Sequence, residues 1–329
     1  MRSTLRRPTP ALALSVTLLA GLSACGGDSS SSSSGASSAA SGSSAAASAI
    51  TVDAAQFSWT AAGLTNAIVG EIATRKPELG VKDLKTTQLD PAAAWAGAAR
   101  GDIDLLTEVA LPNQQKFADQ AKDKVTFLSE TYGEASQGWF VPAASVAPGG
   151  PLEGLKSVTQ LNDYKEQLGG KFYDADPGYV TTEQNTKRLK GYGVDLEHVV
   201  AGEAAELAQL KRSTSRGEPI VLYLYHPHAV HAQYDLVQLE EPTPYSEQCL
   251  TTGDGACAMP AYSANVAAST ELQQQVPRFA AMLEKLRISV PEMEEMQKQV
   301  DVDGQQVPAV AEQWVESHAS QVDQWTTGS

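Results

Sequence analysis

Short apolar runs and amphipathic stretches of helical period take turns along the chain from Ile50 onward, an alternation that few architectures satisfy. Leu64, Ile68 and Ile72 recur every four residues around "TNAIVGEIATR" and mark one helical face. "DIDLLTEV" (102–109), "KVTFLSETY" (124–132) and "KFYDA" (171–175) read as strands, and a helix ended by glycine follows over "TTEQNTKRLKGYG". The pattern resumes with the strand "EHVV", the helix "EAAELAQLKRSTSRG" and the strand "PIVLYLY", whereas Ser269 to Trp325 is helical in pattern almost throughout. Strand-then-helix order predicts an α/β fold with parallel-dominated sheets and helices on both faces.

The first 49 residues follow other rules. Arg2, Arg6 and Arg7 precede an apolar core from Ala11 to Leu22, which predicts a secretory signal peptide over residues 1–24, too short and wrongly flanked for a membrane span. The junction Leu22-Ser23-Ala24-Cys25 resembles the lipobox of bacterial lipoproteins, so Cys25 is the expected lipidation site and first mature residue. Serine, alanine and glycine then dominate to residue 49. Such a segment buries too little apolar surface to offset the entropy of ordering, and it reads as a flexible tether. The remaining stretch of about 280 residues suits two lobes of ordinary domain size.

Cysteine usage agrees with export. With Cys25 assigned to the lipid, Cys249 and Cys257 remain on either side of "LTTGDGA" and are expected to form a structural disulfide rather than half of a metal cluster. A formal net charge of −15 argues against a nucleic-acid or anionic-membrane partner, either of which needs a basic face.

Candidate chemistry is sparse. His226, His228 and His231 lie within six positions, a spacing that a metal site could use, but Pro227 turns the chain between them and only His198 and His318 remain elsewhere. "DVDG" (301–304) lacks the further acidic positions of a calcium loop and reads as a turn. Asp174 and Asp176 in "DADPG" read as turn and helix-cap chemistry. No nucleophile elbow, zinc-protease helix, phosphate loop or kinase set is present, so neither enzyme nor cofactor is suggested. What stands out is aromatic residues at element ends: Trp59, Trp139, Tyr179 and Tyr225. Open α/β sheets bind ligands at such ends, and a cage of rings holds a quaternary ammonium by cation–π attraction.

Several stretches together resemble the substrate-binding proteins of ABC importers for glycine betaine, choline and related quaternary amines. They are "ARGDIDLLTEVALPN", "ASQGWFVP", "FYDADPGYVTTE", "AGEAAELAQLKRSTSRGEPIVLYLYHPHAVHAQYDLVQLEEP" and "VAEQWVESHASQVDQW", in the family's order from about residue 50 to the end. The resemblance implies a two-lobed periplasmic-binding-protein fold of type II with two crossover segments. Lobe one would take residues 50–138 plus 245–329, and lobe two residues 139–244. It further implies a monomer outside the cytoplasm, lipid-anchored to the membrane, that delivers its solute to a permease driven by an ATPase.

Carried over by position, Tyr225 and Tyr179 are expected cage walls, with Trp59 near a third. The amides from Gly178 to Thr181 stand where the family binds a ligand carboxylate, and His228 closes the Trp-x-Pro-His segment. The chain departs from the family at Ala110 and Ala229, where relatives carry tryptophan. Trp139 or Tyr132 could substitute as a wall, and Glu108 or Asp176 would suit a cation that lacks its own carboxylate, such as choline. Two alternatives stay open: a metal-binding lipoprotein using His226, His228 and His231, and a receptor for an amino acid or polyamine.

Overall fold

The computed structural model describes residues 49–327; the signal peptide, Cys25 and nearly all of the expected tether lie outside the described residues. β1 (Ile50–Gln56) leads through Trp59 into α1 (Thr60–Arg75), and β2 (Val81–Gln88) leads into α2 (Pro91–Arg100). β3 (Leu105–Leu111), α3 (Gln115–Ala121) and β4 (Val125–Ala135) complete the first pass. The chain then enters a second sheet through β5 (Gln137–Pro142), α4 (Ala143–Val146), β6 (Lys171–Asp174), α5 (Val180–Gly191) and β7 (Glu197–Val200). It continues with α6 (Glu203–Arg216), β8 (Leu222–Tyr225), α7 (Val230–Gln233), β9 (Leu236–Gln238) and α8 (Glu247–Thr251). β10 (Tyr262–Ser269) rejoins the first sheet, and α9 to α13 follow (Thr270–Gln275, Pro277–Leu283, Val290–Asp301, Val307–Ser317 and Ala319–Thr326).

The strand orders are β2-β1-β3-β10-β4 and β7-β6-β8-β5-β9. The elements expected from periodicity are present, but pairing is mixed. β1, β2 and β3 run parallel, as do β6, β7 and β8, whereas β10 is antiparallel to β3 and β4, and β5 is antiparallel to β8 and β9. The physical reason is connectivity. A strand that has just come from the other sheet needs no crossover helix and can pair in either direction. Each sheet is covered on both faces, the first by a core around Leu64, Ile68 and Phe279 and another around Phe57 and Trp95. The second packs Trp139, Val141 and Phe172 on one face and Phe140, Leu210 and Leu222 on the other.

The first crossing lies between β4 and β5, where Glu134 takes φ 57°, uncommon for a residue with a side chain. The return falls later than residue 245. Leu250, Cys257 and Met259 belong to the core of the second sheet, so the disulfide-closed loop packs there and the chain rejoins the first sheet at Tyr262. That loop fits against the C-terminal half of α5. Lys187 Nζ donates to the carbonyls of Leu250 (3.2 Å) and Thr251 (2.7 Å). A Cβ at Gly191 would sit 2.4 Å from the Asp254 carbonyl oxygen, so only glycine permits this approach.

Gln137, buried at the crossing, joins three segments. Its Nε2 donates to Pro260 O (2.8 Å) and Asn113 Oδ1 (3.1 Å), and its Oε1 accepts from Asn113 Nδ2 (3.1 Å) and from the Tyr223 hydroxyl (2.8 Å). Gln137→Leu would leave the Asn113 amide and the Tyr223 hydroxyl unpaired in a buried place. It is expected to lower the urea midpoint by the equivalent of about 1–3 kcal/mol without changing the denaturant slope.

Candidate functional site

Between the two sheets lies a cavity of about 60 Å³. Trp59 reaches it from the turn before α1, Glu108 and Ala110 from β3, Tyr132 from β4, and Tyr262 and Ala264 from β10. The second lobe contributes Tyr223 and Tyr225 from β8 and Tyr179, Val180 and Thr181 from the start of α5. Strand alternation explains the pair on β8, because residues two apart share a face. Helix geometry explains the other end: Tyr179 is the N-cap of α5, so its ring stands at the helix mouth beside amides that no side chain caps.

The lobes touch across this cavity. The Trp59 and Tyr179 rings meet edge to face at 5.4 Å, and Ser58 Oγ donates to the Tyr179 hydroxyl at 3.2 Å. Gly178 approaches Asp90 so closely that a Cβ would stand 2.9 Å from the Asp90 Cβ. The lobes are therefore in contact at one side of the cavity.

Glu108 decides the electrostatics. Its Oε1 accepts from Thr65 Oγ1 (2.9 Å) and its Oε2 from the Tyr132 hydroxyl (2.7 Å). Burial pushes its pKa up to about 7, and the donors Tyr132, Thr65 and Trp59 offset only part of that rise. Burial and neighbouring carboxylates hold the phenols of Tyr179, Tyr225, Tyr132 and Tyr262 above their ordinary range, so they remain protonated donors. Among the described residues that line the cavity there is no lysine or arginine.

Of the residues expected from sequence, Trp59, Tyr132, Tyr179 and Tyr225 line the cavity, as does Glu108. Trp139, Asp176, Gly178 and His228 do not. Trp139 is fully buried in the second core, donates from Nε1 to Asn185 Oδ1 (2.8 Å) and lies under the Arg188 guanidinium at 4.5 Å. Its place inside β5 turns it inward, away from the other lobe. Asp176 caps α6, its carboxylate accepting from Glu203 N at 3.3 Å. His228 accepts at Nδ1 from Val230 N (3.0 Å), which leaves the proton on Nε2, 3.5 Å from Glu203 Oε1. The sequence reading missed Tyr223 and Tyr262. Alternation from Tyr225 could have found the first, whereas the second needs the register that sets Tyr262 opposite Ala135.

The three clustered histidines do not converge. His226 Nδ1 lies 2.9 Å from Glu294 Oε1, while the His231 ring stacks on His226 at 3.6 Å and points Nε2 at Tyr225 O. Burial, reinforced by His226, lowers the His231 pKa to about 4, so that ring is neutral. Among the described residues no group of three or more His, Cys, Asp or Glu side chains could hold a metal ion.

Two α/β lobes that meet over a ring-lined cavity are the architecture of periplasmic binding proteins. A choline-binding protein of an ABC transporter, solved with choline, matches with TM-score 0.70 and 19% identity over 84% of this chain and 92% of that one. Lactococcal OpuAC, closed on glycine betaine, matches with TM-score 0.69 and 22% identity over 84% of this chain and 100% of that one. A glycine betaine/L-proline-binding protein (ProX) from Borrelia burgdorferi matches with TM-score 0.70 and 19% identity over 84% and 97% of the two chains. Residues 50–317 match the model of the substrate binding domain of the ABC-type glycine betaine transport system, and the chain belongs to that family.

Because Trp139 serves the core, Trp139→Phe is expected to act on stability. Loss of its N–H bond to Asn185 should lower unfolding free energy by about 1–3 kcal/mol in urea titration. The Glu108 carboxyl, followed by NMR, should titrate as in the unsubstituted chain.

Proposed function

We propose that this chain captures a quaternary ammonium solute outside the cytoplasm and delivers it to an ABC permease, with choline-like cations preferred over glycine betaine. The observation that carries the reading is a cavity between the lobes walled by Trp59, Tyr132, Tyr179, Tyr223, Tyr225 and Tyr262 beside a buried carboxyl, Glu108. Methylated ammonium groups offer no N–H to hydrogen-bond, so ring faces and charge must supply the attraction. Five tyrosines and one tryptophan take the place of the walls that Ala110 and Ala229 leave out. Membership of a glycine betaine transport family and the choline and glycine betaine in the matched structures support the ligand class.

Capture needs no bond to be made or broken. The rings replace the water around the cation, and closure of the lobes excludes the rest. Glu108 then supplies the anion that choline lacks. Glycine betaine carries its own carboxylate, for which the amides at the start of α5 are the available donors. The leader and Cys25 read from sequence would tether a monomer to the outer membrane face, and the serine-rich segment would give it reach to the permease.

Thermal shift and calorimetry against choline, glycine betaine, carnitine and polyamines test the class. A quaternary amine should bind, with choline ahead of glycine betaine; binding of a polyamine or amino acid alone would overturn the reading. The pH dependence follows from Glu108. A bound cation favours the ionised carboxyl, so choline affinity is full above about pH 7 and weakens as pH falls, by up to about tenfold per unit. In the free protein the raised pKa has the opposite sign: stability falls as pH rises from 4.5 to about 7, because the unfolded chain releases the Glu108 proton that the folded chain still holds. Glu108→Gln should flatten the choline profile and reduce its lead over glycine betaine.

A further inference from the structure

Glu203 is a half-buried carboxylate that does not line the cavity yet touches side chains that do. Its Oε2 accepts from the Tyr225 hydroxyl at 2.8 Å and from the Tyr179 hydroxyl at 3.3 Å. His228 Nε2 approaches its Oε1 at 3.5 Å, and the His228 ring meets Tyr225 edge to face at 5.0 Å. The same Tyr179 hydroxyl receives Ser58 Oγ from the other lobe, so a single carboxylate stands behind two cage walls and the contact that joins them to the first sheet.

We propose that Glu203 polarises the cage: by accepting from both phenols it enriches the rings of Tyr179 and Tyr225 in electron density, so that two tyrosines attract a quaternary cation as stronger ring faces would. The inference rests on the quaternary-ammonium reading and adds a positioning and specificity-determining residue to it. A phenol that donates to a carboxylate gains phenolate character, and charge-assisted hydrogen bonds of this kind are about twice as strong as neutral ones. The negative face of the ring, the source of cation–π attraction, deepens accordingly. The residue is equipped for this role. Burial would push its pKa up, but His228, Tyr225 and Tyr179 together more than offset that, and it stays below the ordinary carboxylate value and charged. Its position in the first turn of α6 adds the favourable end of the helix dipole.

A carboxylate that only held the tyrosines in place would affect all ligands alike, whereas a polarising one distinguishes charge. The experiment compares choline with 3,3-dimethylbutan-1-ol, its uncharged carbon isostere, by calorimetry and competition on the full folded chain. Glu203→Gln keeps an oxygen that can accept from both phenols but removes the charge. Choline affinity should fall by about tenfold, while affinity for the isostere should stay within about twofold. The double substitution Tyr179→Phe, Tyr225→Phe leaves Glu203 in place but cuts both bonds, and it should give the same selective loss even if the Glu203 variant folds poorly. Adding Glu203→Gln to that double variant should cost much less than in the parent. Equal losses for the two ligands, or no loss for either, would overturn the proposal while choline binding by the parent chain upholds the functional reading. A parent chain that binds no quaternary amine would overturn both.

Discussion

The Gln137 side chain is the point at which the two halves of this protein are held in relation. It sits where the chain first passes from one sheet to the other, and its amide reaches Pro260 on the return path, Asn113 beyond β3 and Tyr223 on β8. A primary amide suits such a junction because it offers donors and acceptors at once, and all four bonds are buried. The cavity inherits its geometry from this junction: Tyr223 is itself a wall, and Asn113 and Gln137 line the same space.

Two glutamates set the electrostatics by opposite means. Glu108 lies in the cavity wall, where burial outweighs its donors and raises its pKa to about 7. Glu203 lies behind the wall, where three side-chain donors outweigh burial and keep it charged. Glu108 is the more deeply buried of the two, whereas Glu203 is half-buried and better supplied with hydrogen bonds. One is under-compensated by its donors, and the other is held charged by them. No lysine or arginine is among the described residues that line the cavity. The chain's overall charge of −15 is a weaker influence, because solvent screens charges spread over the surface.

Much of the molecule could be read along the chain. Helical period around Leu64, Ile68 and Ile72, the glycine stop after α5 and the apolar runs of β3, β4 and β8 are local properties, and each became the element its pattern indicated. The walls Tyr179 and Tyr225 were legible because they sit at element ends next to Pro-Gly and His-Pro turns. Trp139 illustrates where that reasoning stops. It too lies near a strand end and is the largest apolar ring in its segment, but which face of β5 meets the second core is decided by pairing with β8 and β9. A shift of one residue in that register would exchange inside and outside.

Sequence alone therefore determined the α/β order of elements, the Cys249–Cys257 pair and the aromatic character of the binding region, all properties of short segments with their own period and turn chemistry. Only the tertiary structure decided that β10 returns antiparallel, carrying Tyr262 into the wall, and that Glu108 is buried while Asp176 caps a helix. It also decided that the clustered histidines serve separate partners. These outcomes depend on contacts between residues far apart in the chain, such as Tyr132 with Glu108 across two strands and Ser58 with Tyr179 across two lobes. Burial, which sets both the charge of a carboxyl and the face of a ring, exists only once those distant segments have packed.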